Sequence, residues 1–278
     1  MKDDYELLDS GDGRKLERFG GYVLARPCSQ ALWRPSLAAT DWARADATFD
    51  REDGNRWHGR GNLPREWNIT TAGMAFRLGG TDFGHLGIFP EQRAQWRWIR
   101  EQVASAARTR PVSVLNLFAY SGGSTVAAAL GGAEVCHLDA SKGMVEWARG
   151  NARLNGLADR PIRWIVDDAH KFMRREIRRG RAYDAIILDP PTFGRGAGGE
   201  TYKIERDLKD TLSMVRDLLS DRPAFVLFSS HTPGLSRIVA ENLLSQLLPA
   251  ARIESGEMLL EGGARPCPSG VYCRAVFA

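Results

Sequence analysis

From about residue 94 onward, short continuous apolar runs alternate with stretches whose apolar residues recur at helical spacing. Val112–Phe118, Ala133–Asp139, Ile162–Val166, Ala185–Asp189 and Ala224–Phe228 read as buried strands. Arg252–Leu260 and Gly270–Phe277 read as a closing pair joined by a Gly/Pro-rich loop. A glycine turn after the first run precedes a predicted helix at Ser124–Leu130. After the second run, Ser141 is placed to cap a helix with Met144, Val145, Ala148 and Ala152 on one face, ending at Asn155-Gly156. This alternation predicts an α/β fold built on a doubly wound, mostly parallel seven-stranded sheet with helices on both faces.

The amino-terminal stretch has a different rhythm. Short candidate strands such as Tyr22–Ala25, Trp67–Thr70 and Met74–Leu78 are separated by Gly20-Gly21, Asp53-Gly54 and Gly79-Gly80. The pattern divides the chain into a small β-rich module over residues 1–88 and a larger domain over residues 89–278. Six of the eight tryptophans fall before residue 100. Arg56-Trp57-His58-Gly59-Arg60 combines stacking and cationic groups, as an RNA platform would, although core filling is the commoner use of tryptophan.

Composition narrows the field only modestly. The chain has 278 residues, is 43% hydrophobic and carries a formal charge of +4, from 38 basic and 34 acidic side chains. That balance permits a nucleic-acid partner without arguing for one, because phosphate contact depends on local clustering. Met1–Glu6 lacks the basic-then-apolar layout of a secretory signal, and no apolar run approaches the roughly 18 residues a bilayer requires, so a cytoplasmic location is expected. The cysteines Cys28, Cys136, Cys267 and Cys273 match no common zinc or disulfide framework, and no metal is expected.

In a sheet of this type, ligands bind outside the carboxyl ends of the strands, at the point where strand order reverses. Gly122 and Gly123 lie there, and Asp139, Asp167, Asp168 and Asp189 close the second, third and fourth strands. Asp139 suits a pair of ribose hydroxyls and Asp168 an adenine amino group, which together would hold an adenosine. The competing role for any one of these acids is a helix N-cap. The G-x-G-x-x-G spacing is absent from Gly122-Gly123-Ser124-Thr125-Val126, so a nicotinamide dinucleotide site is not indicated. Asp189-Pro190-Pro191-Thr192-Phe193 offers a carboxylate and rigid carbonyls with no competing proline N–H.

Asn116–Gly123, Leu138–Ser141, Asn151–Gly156, Asp189–Phe193 and the lead-in Gly87–Arg93 together resemble the class I methyltransferase family that modifies bacterial large-subunit ribosomal RNA. The resemblance implies a Rossmann-like sheet and S-adenosylmethionine as donor. By matching positions it places Phe118, Tyr120 and Gly122 around the methionine part, with Asn116 and Ala140 in the same cofactor group. It places Asp139 on ribose, Asp167 or Asp168 at adenine, and Asp189-Pro190 at the reacting centre. Thr192, Phe193 and Arg195 become candidate substrate contacts. Arg93 is a candidate for the cofactor carboxylate or an anchor of the domain junction. RNA, specifically large-subunit ribosomal RNA, is the implied partner.

Relatives that methylate pyrimidine C5 need a cysteine after the fourth or fifth strand, because that carbon is not nucleophilic until a thiolate attacks C6. Here those places hold Pro191-Thr192 and Ser229-Ser230-His231-Thr232. The Asp-Pro-Pro-Thr-Phe form is similar to relatives that methylate guanine N7, so a base nitrogen or amine is expected, with Phe193 stacking on the base. A fold-back of Cys267 or Cys273 would restore C5 chemistry. A protein or small-molecule methyltransferase and a non-catalytic RNA-binding protein remain alternatives. The segment after the third strand carries Lys171, Arg174, Arg175 and Arg178 on one face, which fits either a phosphate ridge or a solvated surface. Gly194–Glu200 is expected to be a flexible loop that closes over substrate.

Overall fold

The computed structural model describes residues 3–51, 53–196 and 198–277. The chain divides into two compact units, one formed by Met1–Ala94 with Met258–Ser269 and the other by Gln95–Glu257 with Gly270–Ala278.

The first unit holds a five-stranded sheet ordered β1 (Tyr5–Gly11), β2 (Arg14–Phe19), β3 (Tyr22–Pro27), β4 (Ala47–Asp50) and β5 (Arg56–His58). A four-residue helix α1 (Ala39–Trp42) lies between β3 and β4, and β6 (Trp67–Thr71) pairs with β7 (Met74–Leu78) as a separate hairpin. Trp57 packs edge-on against Phe49 and donates to the Thr81 carbonyl at 2.8 Å, while Arg60 is engaged by Asp82 and the Gly80 carbonyl. Within Arg56–Arg60, Trp57 is thus taken up by packing, while Arg56, His58 and Arg60 remain exposed.

The second unit is the predicted α/β domain. After α2 (Arg93–Ala106) it runs through β8 (Ser113–Leu117), α3 (Gly123–Leu130), β9 (Glu134–Asp139), α4 (Lys142–Leu154), β10 (Ile162–Val166), α5 (Ala169–Arg178) and β11 (Ala185–Leu188). A short hairpin, β12 (Phe193–Arg195) and β13 (Thr201–Lys203), then leads to α6 (Ile204–Asp217), β14 (Phe225–Ser230), α7 (Arg237–Leu247), β15 (Arg252–Leu260) and β16 (Cys267–Val276). The seven-stranded order is β10-β9-β8-β11-β14-β16-β15, parallel through β14 and antiparallel where β16 joins. β11 and β14 are buried at every position, as strands covered on both faces must be. Leu115, Ile186, Val226 and Phe228 sit in a core filled by Phe172 of α5 and by Leu208 and Leu212 of α6.

The division differs from the expected break at residue 88 in two ways, the first being that the first unit runs on to Ala94. The tip of the β15–β16 hairpin, Met258–Ser269, belongs to the first unit. Gly262 forms a bridge with Leu7, and a Cβ on Gly262 would lie 2.5 Å from the Leu7 carbonyl oxygen. Local pattern identifies a hairpin but not the distant strand its tip meets. Among the described residues, no helix is long and apolar enough to cross a membrane.

Candidate active site

The order β10-β9-β8-β11 puts the topological reversal at β8, with β9 on one side and β11 on the other. The turn leaving β8 is conformationally unusual: Phe118 (φ 54°) and Tyr120 (φ 49°) both adopt left-handed backbone, a costly state for bulky side chains. Several contacts enforce it. The Ala119 N–H donates to the Leu138 carbonyl, the Tyr120 N–H to Asp139 Oδ2 at 2.8 Å, and Asn151 Nδ2 of α4 to the Ser121 carbonyl at 2.9 Å. Asn151 is fully buried, which gives the Asn151–Gly156 motif a structural reason.

The two glycines of this turn serve protein packing directly. A Cβ on Gly122 (φ 87°) would lie 2.9 Å from Ala148 Cβ, and one on Gly123 would lie 2.6 Å from the Trp96 indole. Both glycines thus admit neighbouring protein atoms, and the expected close backbone approach rests on the turn's dihedrals instead. Gly122 precedes α3, whose first turn has no side-chain cap.

Asp139 accepts from Tyr120 N–H with one oxygen and from Ser141 N–H with the other. Burial pushes its carboxyl above the usual range, and those two backbone donors only partly offset the effect. Ala140 follows, half-buried. Asp168 is the N-cap of α5, accepting from Lys171 N–H at 2.9 Å. Asp167 accepts from Asp168 N–H and is paired with Arg175. The helix-capping role therefore holds for Asp168, while Ser141, not Asp139, caps α4.

Asn116 lies behind the turn, fully buried, with Nδ2 donating to Thr125 Oγ1 at 2.9 Å. The Thr125 hydroxyl in turn meets His137 Nδ1 at 2.8 Å. Burial, with Arg149 nearby, pulls His137 down to about 3, consistent with a neutral ring. Asn116 thus supports the turn from beneath. Arg93 lies in the first unit, 3.3 Å from Asp3 and over the Tyr5 ring, so its guanidinium is occupied in anchoring that unit's amino-terminal strand.

At the end of β11, Asp189 stands beside His231, which follows β14, with Oδ1 and Nδ1 3.5 Å apart. Both are partly open to solvent, at 26% and 31% side-chain exposure. In the sequence His231 stood out only as part of Ser229-Ser230-His231-Thr232, the stretch after the fifth strand that lacks a cysteine. The available signal was that both residues directly follow adjacent strands. Pro190 is buried, and Thr192 Oγ1 meets Thr232 Oγ1 at 2.8 Å, joining the two rim segments. Phe193 is 50% exposed, with Arg195 over its ring. Of the expected flexible loop, Gly194 and Arg195 are held in a hairpin by pairing with Tyr202 and Thr201. Ala197 of that loop lies outside the described residues. Tyr202 is buried against Phe118, with ring centres 5.1 Å apart.

No thiol folds back into the second unit's rim. Cys273 is fully buried in β16 opposite Phe228, its thiol pushed up to about 12 by burial and by Glu241. Cys267 belongs to the first unit, with its sulfur 3.1 Å from that of Cys28. Among the described residues, no three His, Cys, Asp or Glu side chains converge in a way that could hold a metal ion.

A strained turn after the central strand, with an acid closing the next strand, is an arrangement suited to a nucleoside bearing a short charged tail. Comparison with known proteins agrees. The S-adenosylmethionine-dependent methyltransferase family model matches residues 29–228, and the chain belongs to that family, whose methyl donor is S-adenosylmethionine. A crystal structure of a SAM-dependent methyltransferase from Agrobacterium tumefaciens is 38% identical, with a TM-score of 0.93 over 99% of this chain and 91% of that one. A Streptococcus mutans methyltransferase structure shares the fold at 18% identity and TM-score 0.75, over 99% of this chain and 75% of that one. Among sequence relatives, a ribosomal RNA large subunit methyltransferase K/L of Shewanella amazonensis is 31% identical over 79% of this chain, and one of Syntrophotalea carbinolica is 30% identical over 74%. This chain spans only 30% and 26% of those two relatives.

The rim fits that donor. Each Asp139 oxygen has accepted one backbone N–H and retains capacity for a further hydroxyl.

Proposed function

We propose that this chain methylates a base nitrogen of large-subunit ribosomal RNA, at guanine N7 or an exocyclic amine. The observation that carries this reading is the Asp189–His231 pair at the open rim, with no thiol beside it. The donor supplies an electrophilic methyl carbon, so the protein's contribution is placement and charge. Asp139 takes the ribose hydroxyls. Asp168, with one carboxylate oxygen committed to its helix, offers the other to an adenine amine. The Phe118–Tyr120 turn orients the donor's amino-acid portion.

Asp189 and the Pro190 carbonyl accept from the base's amine edge, and exposed Phe193 stacks on the base. A methylated ring nitrogen becomes cationic, and the Asp189 carboxylate favours that charge as it develops. An amine substrate must also lose a proton, for which His231 is within reach of Asp189. A C5 mechanism would need a thiolate here, and Cys273 is buried with its thiol held protonated.

The relatives named as ribosomal RNA methyltransferases support an RNA substrate, as do two cationic surfaces considered separately. On the second unit, α5 exposes Lys171, Arg174 and Arg178. On the first, a 710 Å³ cavity is lined by Arg14, Arg34 and Trp42, and neither arginine is in an ion pair among the described residues. A ribosomal substrate implies action in the cytoplasm.

The test uses purified protein, radiolabelled donor, and RNA from a strain lacking the gene, followed by nucleoside analysis. Label in 7-methylguanosine or an N-methylated base is expected. Label in 5-methylcytosine would overturn the nitrogen assignment, and label only in protein would overturn the RNA substrate. Donor binding without transfer to any acceptor would favour a non-catalytic RNA-binding role.

A further inference from the structure

The first unit brings together two cysteines that lie 239 positions apart in the chain. Cys28 follows β3, with its N–H donating to the Gly13 carbonyl and its carbonyl accepting from Ala31 N–H. Cys267 opens β16 within the hairpin tip that belongs to the same unit. Their sulfurs are 3.1 Å apart as free thiols, about 1 Å from the disulfide bond length of about 2.05 Å. Cys28 is half-buried and open to a small reagent, whereas Cys267 is fully buried behind it.

The surroundings favour charge on Cys28. The two sulfurs share a hydrogen bond and Lys15 lies close enough to stabilise an anion, so Cys28 is pulled below the usual thiol range while Cys267 is pushed up. Glu17 opposes this, but it is itself paired with Lys15 at 3.4 Å and Arg26 at 2.6 Å. An acidic, accessible thiol backed by a second thiol is the arrangement of an attacking and a resolving cysteine.

We infer that Cys28 and Cys267 form a redox-active modification site that a peroxide converts to an intramolecular disulfide. The Cys28 thiolate attacks one peroxide oxygen, the O–O bond breaks, and hydroxide leaves as water after taking a proton, so Cys28 becomes a sulfenic acid. The Cys267 sulfur then attacks Cys28, the S–O bond breaks, an S–S bond forms and a second water departs with the Cys267 proton. Two electrons pass from the sulfurs to the peroxide, and a dithiol reductant reverses the step. The product would covalently tie the hairpin tip to β3 and enclose the whole intervening chain in one loop.

The test treats the reduced full chain with stoichiometric hydrogen peroxide and maps non-reduced peptides. The expected result is a Cys28–Cys267 cross-linked peptide, a mass loss of about 2 Da and a fall from four titratable thiols to about two in denaturant, with Cys136 and Cys273 unchanged. The rate should rise with pH as the Cys28 thiol ionises, below the usual thiol range. Cys267→Ser should leave Cys28 as a sulfenic acid trapped by dimedone, and Cys28→Ser should abolish reaction. Wild-type protein that yields no Cys28–Cys267 peptide, or that oxidises at Cys136 or Cys273 instead, would overturn the inference whether or not either variant folds.

Discussion

Glu17 in the first unit lies mid-strand in β2, whereas Asp139 and Asp189 in the second close or follow strands, and these acids are used in opposite ways. Glu17 is completely buried and saturated by Arg26, Lys15 and the Tyr5 hydroxyl. Asp139 and Asp189 stand at the sheet rim, each only partly buried. An acid whose hydrogen bonds are all satisfied within the protein supports the fold. An acid left with capacity at a strand's carboxyl end is available to a ligand.

The sharpest break of that comparison is Asp189→Ala. Methyl transfer should fall by about a thousandfold or more, while calorimetric affinity for the donor stays within about tenfold, because the carboxylate acts in the transition state. Comparable loss of both would move Asp189 to donor binding. Glu17→Ala should do the reverse, destabilising the first unit by about 3–5 kcal/mol in chemical denaturation by leaving Arg26 buried without its counter-charge. An unchanged denaturation midpoint would show that Glu17 is not the unit's electrostatic anchor.

Asp139→Ala should weaken donor binding about 10- to 100-fold, since it removes a hydroxyl acceptor and frees the Tyr120 and Ser141 amides. His231→Ala should reduce turnover about 10- to 100-fold for an amine acceptor and flatten the acid limb of the pH–rate profile. A ring-nitrogen acceptor, which loses no proton, should show little of either effect, so this variant also reports the class of methylated atom.

The smallest effect concerns pH. Burial raises the Asp139 carboxyl in the folded state, so the native protein holds that proton more tightly than the unfolded chain does. Asp139 therefore removes stability as pH climbs from the unfolded value of 3.8 through its raised folded value, and contributes most below it. Ribose hydroxyls that bond to the ionised form reverse this preference. Donor affinity should accordingly weaken as pH drops through the raised value, and Asp139→Asn should abolish that dependence. A binding isotherm series across acid pH reads both.

The sequence by itself determined the core of the α/β domain because each central strand is a short apolar run and each helix has its own period, so β8, β9, β10, β11 and β14 follow from local pattern. The acids at strand ends were equally legible, since a strand's last residue is a matter of counting. What a carboxylate does there is a matter of neighbours. Asp168 gives one carboxylate oxygen to its own helix and Asp139 caps none, although Asp139 closes its strand and Asp168 follows one. Arg93, near the family-like lead-in, turned to Asp3 and Tyr5 in the first unit. Only the tertiary structure set His231 beside Asp189, packed Ala148 and Trp96 where two glycines leave room, and brought Cys28 to Cys267. Those juxtapositions join residues far apart in the chain, and their hydrogen bonds and packing exist only once the strands have been placed in register.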